Sequence, residues 1–336
     1  MREERKAFLA QINFARYSGQ RKGHYESFFQ RANHPTRPLA FWIRHTLFSP
    51  QEKPEGALGE LWAIFFNGET NQHIAIKREI PFSECLFSAS EFHVRIGNSQ
   101  LNSHQLCGAI QNQEHTISWE LSFKGNSEPL LLLPFKFYKT KFPAAKSLVS
   151  LPMARYQGEL YVNGEVVNVA DWIGSQNHNW GTRHTDLYAW GQVAGFDTHS
   201  ESFLEVATAK LRMGPFWTPP ITLIVLRHKG KEYAVNGLLQ AIRSYGSFNY
   251  FNWSFKSKTP EVEIEGTISA TQQAFIGLNY YNPPGGIKQC LNTKIASCVV
   301  QISDKVLGIT EMLETKNRAA FEILTDDQNH GIPISA

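Results

Sequence analysis

The stretch from Trp172 to Gln192 reads Trp-Ile-Gly-Ser-Gln-Asn-His-Asn-Trp-Gly-Thr-Arg-His-Thr-Asp-Leu-Tyr-Ala-Trp-Gly-Gln. It contains three tryptophans, one tyrosine, two histidines, one aspartate and one arginine. A segment that only fills a hydrophobic core would consist mainly of Leu, Val and Ile. Aromatic rings among donors, acceptors and proton carriers are typical of a binding or catalytic site. We therefore expect this stretch to lie at the functional site.

From Asp186 onward the stretch has the period of a β-strand, in which alternate side chains share a face. One face then carries polar and aromatic residues, namely Asp186, Tyr188, Trp190 and Gln192. The other face is small, with Ala189 and Gly191, which favours close packing of another backbone segment. We expect the polar and aromatic face, together with Trp180, to line one concave site.

Strand patterns also dominate the rest of the chain. Ile117, Trp119, Leu121 and Phe123 alternate with polar residues. Asn163-Gly164 separates two apolar runs and predicts a two-residue hairpin. Helical periodicity is scarce, and residues 3–15 are the best candidate. Many short strands with regular turns indicate an all-β fold with less than about a fifth of the chain in helix.

Composition limits the classes of protein. A chain of 336 residues is long enough for two domains, and 42% hydrophobic with 19% charged residues describes a folded protein. The 33 basic and 30 acidic residues nearly cancel, so we expect no nucleic-acid partner. No apolar stretch reaches the 18 residues typical of a transmembrane helix. The pattern leaves open peripheral contact with a membrane for ligand access, and it does not define the oligomeric state.

The N-terminus, Met-Arg-Glu-Glu-Arg-Lys, lacks the apolar core of a secretory signal, which predicts a cytoplasmic protein. A periplasmic chain without its leader would look the same. The four cysteines show no Cys-x-x-Cys spacing and are expected to be reduced. We find no dinucleotide-binding or phosphate-binding glycine motif, no Gly-x-Ser-x-Gly and no His-Glu-x-x-His, so we expect no cofactor and no metal. His178 and His184 are six residues apart without a clear third ligand.

The central motif resembles a known family. Gln176-Asn177-His178-Asn179-Trp180-Gly181, followed by Tyr188-Ala189-Trp190-Gly191-Gln192, is similar to the signature of the carotenoid 1,2-hydratase (hydroxyneurosporene synthase) family. That family includes the AttH-like proteins and is related to the plant tocopherol cyclases. The similarity continues upstream at residues 25–27, 40–44, 59–64 and 129–134. It implies two lipocalin-like antiparallel β-barrel domains in tandem, with a cavity or inter-barrel cleft near the His-x-Trp motif.

We therefore expect an N-terminal barrel over residues 1–174 and a C-terminal barrel over residues 175–336. The junction would lie near residues 172–181, which places the motif at the seam. A weak internal echo, Ile117–Lys124 against Phe251–Lys256, favours two similar domains only in combination with the family resemblance.

His178 is the first catalytic candidate. It alternates with Trp180, so an extended segment would direct both side chains the same way. Imidazole can move a proton near neutral pH, and an indole face can stabilise positive charge that develops when an alkene is protonated. The alternative is structural, with His178 bonded to backbone carbonyls and Trp180 filling a core.

Asp186 and Glu205 are the carboxylate candidates. Glu205 lies in an apolar strand, where burial would raise its pKa and keep it protonated, as a general acid requires. The alternative is an ion pair with Arg183 or Arg212. In the hydratases, the resemblance implies a Tyr-x-Asp pair downstream of His-x-Trp, and its match here is Phe203-Leu204-Glu205. Phe203 in place of Tyr and Glu205 in place of Asp are departures from the family pattern, and they weigh against hydration of carotenes.

The expected ligand-binding residues are Trp180, Tyr188, Trp190, Gln192, Asn177, Arg183, Trp42 and Arg44. Trp42 and Arg44 share a strand face, as do Glu60 and Trp62, so an Arg-Glu pair could line a cavity or brace a barrel.

Two functions fit the sequence. The first is a cofactor-independent lyase or isomerase that hydrates, cyclises or isomerises an apolar isoprenoid-like or polyketide-like substrate. The second is a non-catalytic carrier or sensor of a lipophilic small molecule.

Overall fold

The computed structural model describes residues 2–336 and consists almost entirely of antiparallel strands. Strands hold 59% of the chain and helices 8%, which confirms the predicted all-β class. The strands form a twelve-stranded sheet, a ten-stranded sheet and a short two-stranded hairpin. Together they make a nearly closed antiparallel barrel and a second sheet. Helix α1 (Arg2–Ala10) precedes the first sheet and is shorter than the expected helix over residues 3–15.

The first sheet contains β1 (His24–Asn33), β2 (Leu39–Ser49), β3 (Leu58–Asn67), β4 (Ile74–Pro81), β5 (Cys85–Phe87), β6 (His93–Ile96), β7 (Ser99–Asn102), β8 (Gln105–Gln111), β9 (Thr116–Lys124), β10 (Leu130–Leu131), β11 (Ala145–Val162) and β12 (Glu165–Gly181). The second half contains β13 (Leu187–Ala194), β14 (Phe203–Lys210), β15 (Arg212–Met213), β16 (Phe216–Trp217), β17 (Ile221–His228), β18 (Lys231–Val235), helix α2 (Leu238–Arg243), β19 (Tyr245–Asn249), β20 (Asn252–Lys258), β21 (Val262–Ser269), β22 (Ile276–Tyr281), β23 (Ile287–Asp304) and β24 (Ile309–Thr325). Short 3₁₀ turns span Pro54–Gly56, Phe82–Glu84, Phe135–Lys139 and Gln272–Ala274.

The two sheets repeat one strand order. The first runs β4-β3-β2-β1-β12-β11-β9-β8-β7-β6-β5, and the second runs β18-β17-β14-β13-β24-β23-β21-β20-β19. In each sheet, the last strand of that half of the chain pairs with the first, β12 with β1 and β24 with β13. The last strand also forms a long hairpin with the strand before it, as β11–β12 and β23–β24. The sequence echo between residues 117–124 and 251–256 matched β9 with β20, although the topology makes β21 the equivalent of β9. The echo therefore did not align equivalent strands.

The hairpin predicted at Asn163-Gly164 is confirmed, and it joins β11 to β12. Both turn residues have positive φ, 53° and 86°, which a two-residue turn of this kind requires. Strand β12 stays in the first sheet until Gly181, and the second sheet begins at Leu187. The chain therefore changes sheet several residues after position 174, because the motif residues pair with β1 and β11. Division into two independent domains stays a prediction.

Three apolar clusters position the candidate site. The first sheet encloses one cluster, which includes Phe41, Trp119 and Trp172. The second sheet encloses another, around Trp253 and Phe321. A third cluster joins Trp42 and Trp62 of the first sheet to Trp190 and Tyr280 of the second. Because the sheets pack face to face through this third cluster, the residues between them are shielded from water.

Candidate functional site

A cavity of about 210 Å³ lies where the two sheets meet. The first sheet contributes Trp42 and Ala145, and the second contributes Trp190, Ala207 and Leu223. The segment with the 3₁₀ turn Phe135–Lys139 covers one side through Leu132, Leu133 and Phe137. Most of the lining is apolar or aromatic, which suits a lipophilic molecule.

Small residues on β14 create the space. Ala207 and Ala209 oppose Trp190 and Tyr188 in the strand pairing, so all four side chains face the cavity. The predicted alternation of Tyr188 and Trp190 on one face is therefore confirmed. A larger side chain at Ala207 would occupy the volume that a ligand needs.

Aromatic and basic groups form a polar end of the cavity. The Arg44 guanidinium lies 4.5 Å from the centre of the Tyr280 ring, and its Nη2 donates to Ser27 Oγ at 2.6 Å. The His184 ring stacks on Tyr25 at 4.1 Å between centroids. Burial lowers the pKa of His184 to about 3, so this imidazole is neutral at physiological pH. Burial raises the pKa of the Tyr25 hydroxyl, which keeps it protonated.

Lys146 is the unusual cation of the lining. It is 6% exposed, and its Nζ has no hydrogen-bond partner among the described residues. Burial lowers the pKa of this ammonium to about 8. Asn179, two positions after Asn177 on β12, also lines the cavity and leaves its Oδ1 without a partner among residues 2–336. Unpaired buried groups of this kind are costly, and a ligand with matching polar atoms would satisfy them.

The carboxylate of the lining, Glu322, is already bonded. Its Oε1 accepts from Lys294 Nζ at 2.7 Å and from Asn292 Nδ2 at 2.9 Å. Lys294 is fully buried, and its ammonium lies 5.6 Å from the centre of the Trp190 ring. Since this pair is neutral overall, Arg44 and Lys146 give the cavity an excess of positive charge.

Glu205 is fully buried directly behind the cavity wall. Its two oxygens accept from Trp190 Nε1 and Gln192 Nε2, each at 2.8 Å. Burial raises the pKa of the Glu205 carboxyl to about 7. The direction of this shift agrees with the prediction of a carboxyl that holds its proton, and the role of Glu205 stays a prediction. The alternative ion pair with Arg183 or Arg212 is wrong, because neither side chain bonds Glu205. The cation that influences the Glu205 carboxyl is Arg31, which bonds Gln192.

Gln192 connects Glu205 to the first sheet. Its Oε1 accepts from Arg31 Nε at 2.7 Å and from Ser175 Oγ at 2.6 Å, while its Nε2 also donates to Asn177 Oδ1 at 2.8 Å. Every member of this network is buried. Gln192 and Asn177 were predicted to bind ligand, but their polar atoms are used to join the two sheets, and neither residue lines the cavity.

His178 also lies outside the cavity. Its Nδ1 is 2.7 Å from the carbonyl oxygen of Ile12, and its Nε2 is 2.8 Å from Glu26 Oε1. Glu26 further accepts the backbone N–H groups of Arg16 and Tyr17. Although burial opposes ionisation, hydrogen bonds from His178 and His24 hold the pKa of Glu26 down to about 2. The geometry matches the structural alternative, and the backbone carbonyl that His178 bonds belongs to the N-terminal segment.

Of the remaining predicted residues, some line the cavity and others lie outside it. Trp42, Arg44, Tyr188 and Trp190 line the cavity. Trp180 lies instead in a separate cluster with Ile12 and Leu148, because its neighbour Asn179 takes the cavity side of β12 and adjacent strand residues face opposite sides. Asp186 precedes β13, so strand alternation does not apply to it, and its Oδ2 accepts the Arg212 N–H at 2.9 Å. Arg183 is exposed. The predicted roles of His178, Asp186 and Glu205 in catalysis stay predictions.

Several lining residues were not found from the sequence, namely Tyr25, Lys146, Asn179, His184, Tyr280 and Glu322. Asn179 and His184 belong to the quoted stretch, and Tyr25 belongs to an upstream similarity, so a signal existed for these three. Lys146, Tyr280 and Glu322 lie on strands far apart in the chain, and nothing local distinguishes them from other strand residues.

One group of side chains away from the cavity has metal-ligand chemistry. Within the described part of the chain, His199, His228 and Glu311 place one potential ligand atom each within 4.8 Å of one another. Glu311 is bonded to Lys229 and to His228 Nε2, the latter at 2.8 Å. These contacts describe an ion-pair cluster. His178 and His184, the pair considered from the sequence, bind different partners.

Two antiparallel β-sheets that enclose a mainly apolar cavity with a basic polar end define the class of protein by its fold. The chain belongs to the tocopherol cyclase-like family, whose family model matches residues 83–323. A search of curated protein sequences found no significant match.

Solved structures share the fold at low sequence identity. An AttH-like protein of Nitrosomonas europaea has a TM-score of 0.54 and 11% identity over 90% of this chain and 92% of its own. Kievitone hydratase from Nectria haematococca gives a TM-score of 0.55 and 11% identity over 90% and 89% of the two chains. CghA with Sch210972 gives a TM-score of 0.55 and 12% identity over 90% and 89%. In the described residues, no helix has the length and apolar character needed to span a membrane.

Proposed function

We propose that the protein is a lyase or isomerase that acts, without a cofactor, on an apolar isoprenoid-like or polyketide-like molecule in the cavity between the sheets. The reaction classes are hydration, cyclisation and double-bond isomerisation. The observation that carries the proposal is the cavity itself, which joins an apolar wall to a polar end with unpartnered groups. Family membership and the hydratase among the structures of the same fold support it.

Lys146 is the residue to which we assign the polar end of the substrate. Its ammonium has no counter-ion or hydrogen-bond partner among the described residues. An oxygen-bearing group, such as an enol, phenol or carboxyl, would supply the missing acceptor. With a pKa of about 8, Lys146 can also exchange a proton near neutral pH.

The aromatic wall suits the charge that such chemistry develops. Protonation of a double bond leaves a carbocation, and the faces of Trp42, Tyr188 and Trp190 offer electron density beside it. Glu205 accepts the indole N–H of Trp190 but does not line the cavity. It can therefore affect the position of that ring, and it does not contact the substrate directly.

A non-catalytic carrier is the second candidate. The observation that favours it is that His178, Asp186 and Glu205, the three residues predicted to move protons, all lie outside the lining. A carrier needs the apolar cavity but no group that transfers a proton.

The test begins with apolar molecules extracted from the purified protein and identified by mass spectrometry. We expect Ala207→Phe, which fills the cavity, to remove them, while Ala109→Phe at an exposed position of β8 retains them. We then expect a substrate-like molecule from Lys146→Met and its isomer, hydrate or cyclised product from the wild type. The same molecule from both proteins would establish the carrier. No loss with Ala207→Phe would overturn binding in this cavity.

A further inference from the structure

The mouth of the cavity carries exposed apolar side chains. The hairpin β15–β16 presents Met213 (68% exposed), Phe216 (74%) and Trp217 (43%). It begins directly after Leu211, which lines the cavity, and Leu211 O accepts the Thr218 N–H across the base of the hairpin at 2.9 Å. The hairpin therefore projects from the cavity wall with its apolar residues in solvent.

Two further segments at the mouth share this character. On helix α2, Leu238 and Ala241 line the cavity, whereas Leu239 and Ile242 are exposed by 68% and 49%. Phe142 lines the cavity from the opposite side and is 57% exposed. Several large exposed apolar side chains around one cavity are typical of an interaction surface. We call the set Phe142, Met213, Phe216, Trp217, Leu239 and Ile242 the mouth surface.

The chain segments that supply the mouth surface are basic. The chain has no Asp or Glu over residues 129–158, 206–231 or 233–260, the segments that supply the mouth surface. The same segments carry Lys136, Lys141, Lys210, Arg212 and Arg243. Lys210 Nζ lies 5.9 Å from the centre of the Trp217 ring, so cation and apolar group are presented together.

Carboxylates near this region have partners. Asp326 accepts from Lys288 Nζ at 2.8 Å, and the same ammonium donates to the Asp186 carbonyl oxygen. Asp186 accepts the Arg212 N–H, and Glu4 on α1 pairs with Lys139 at 2.7 Å. The local charge is therefore clearly positive, although the whole chain has a net charge of only +3.

We propose that the mouth surface docks on a membrane rich in anionic phospholipid, so that an apolar ligand passes between the bilayer and the cavity. Aromatic and aliphatic side chains insert at the level of the headgroups, and Lys and Arg contact the anionic phosphates. A second copy of this chain carries the same positive charge at its own mouth surface. Repulsion between the two copies argues against self-association there.

The experiment is co-sedimentation of the full chain with vesicles of phosphatidylcholine alone or with 30% phosphatidylglycerol. We expect binding to the anionic vesicles, at least about tenfold weaker binding to the neutral ones, and loss of binding at high salt. Phe216→Ser with Leu239→Ser should reduce binding by about tenfold or more. Val306→Ser with Leu307→Ser is the matched control, since these side chains are 69% and 60% exposed on the β23–β24 turn.

Circular dichroism and thermal melting establish that both double variants are folded. Equal binding by the two variants, or no binding of the wild type to anionic vesicles, would overturn the proposal. A dimer in light scattering that only Phe216→Ser with Leu239→Ser abolishes, without vesicle binding, would assign the surface to a second copy. Vesicle binding needs neither ligand nor turnover, so its outcome is separate from that of the proposed function.

Discussion

Trp190 donates its indole N–H to Glu205 across 2.8 Å. Trp190 forms part of the cavity wall, whereas Glu205 lies fully buried behind it. A ligand that moves the indole would change the hydrogen bonding of the carboxyl, and the protonation of Glu205 would in turn affect the position of the wall. This contact couples the cavity to the polar network that joins the two sheets.

Below pH 4.5, where the Glu205 carboxyl is protonated in both the folded and the unfolded state, Glu205→Gln should lower the free energy of unfolding by about 1–3 kcal/mol. Both carboxyl oxygens accept from donors, and the amide can accept at only one end, so one N–H would face another N–H. Urea unfolding measures the loss. Glu201→Gln, an exposed position in the same region, is the control and should change stability little. Intact stability in Glu205→Gln would contradict the bracing role, and unchanged turnover would exclude Glu205 as a proton donor.

The raised pKa of Glu205 makes stability depend on pH. The folded state holds this proton up to about pH 7, whereas the unfolded state releases it near 4.5. The contribution of Glu205 is therefore fully present below pH 4.5 and is lost as the pH rises toward 7. Linkage gives a loss of about 3 kcal/mol across this window. Unfolding titrations of wild type and Glu205→Gln should differ in slope there, and identical slopes would refute the raised pKa.

Lys146→Met should stabilise the protein. It removes an unpartnered buried ammonium whose folded pKa, about 8, lies below the ordinary 10.5. The folded state binds this proton less tightly, so wild-type stability should rise between pH 8 and 10.5, and the variant should lack that rise. Lys141→Met, an exposed neighbour, is the control. Calorimetry across this range checks the prediction, and a less stable Lys146→Met would contradict it.

Glu26→Gln should release the N-terminal segment from the first sheet. Glu26 is ionised and accepts from His178 and from the backbone of residues 16 and 17. Losing hydrogen bonds to a buried charged group costs about 1.5–3 kcal/mol. Hydrogen exchange of residues 12–17 should accelerate in Glu26→Gln and stay unchanged in Glu55→Gln, which is exposed. Because the pKa of Glu26 is lowered to about 2, its stabilisation should be lost as the pH falls below 4.5 toward that value.

The protein should hydrate linear carotenes weakly or not at all. Phe203 occupies the position where the hydratases carry the tyrosine of their Tyr-x-Asp pair, and it is fully buried in an apolar cluster with Leu132 and Ile173. It offers no hydroxyl to orient a water molecule. Incubation of purified protein with a linear carotene and analysis of the products tests this, and robust hydration would show that the departure at Phe203 does not matter.

Much of the fold could be read from local patterns. Alternation on β9 and the turn at Asn163-Gly164 depend only on neighbouring residues, so strands and a hairpin were predictable. The shared face of Tyr188 and Trp190 followed from the same period of two. The predicted shared face was wrong for Trp180 and Asp186, because a period of two applies only within one strand. The chain leaves the first sheet after Gly181 and enters the second at Leu187, so neither residue belongs to the strand of Trp190.

The sequence by itself determined the all-β class, the strand that carries Trp190, and the burial of Glu205, since these depend on short-range periodicity and apolar neighbours. Only the tertiary structure decided which groups face the ligand. Packing of the two sheets through Trp42, Trp190 and Tyr280 brought Lys146 and Glu322 to one cavity and directed His178 to the N-terminal segment. The physical reason is that the cavity joins side chains as distant in the chain as Tyr25, Lys146 and Glu322. Their meeting is fixed by sheet packing, which no local pattern records.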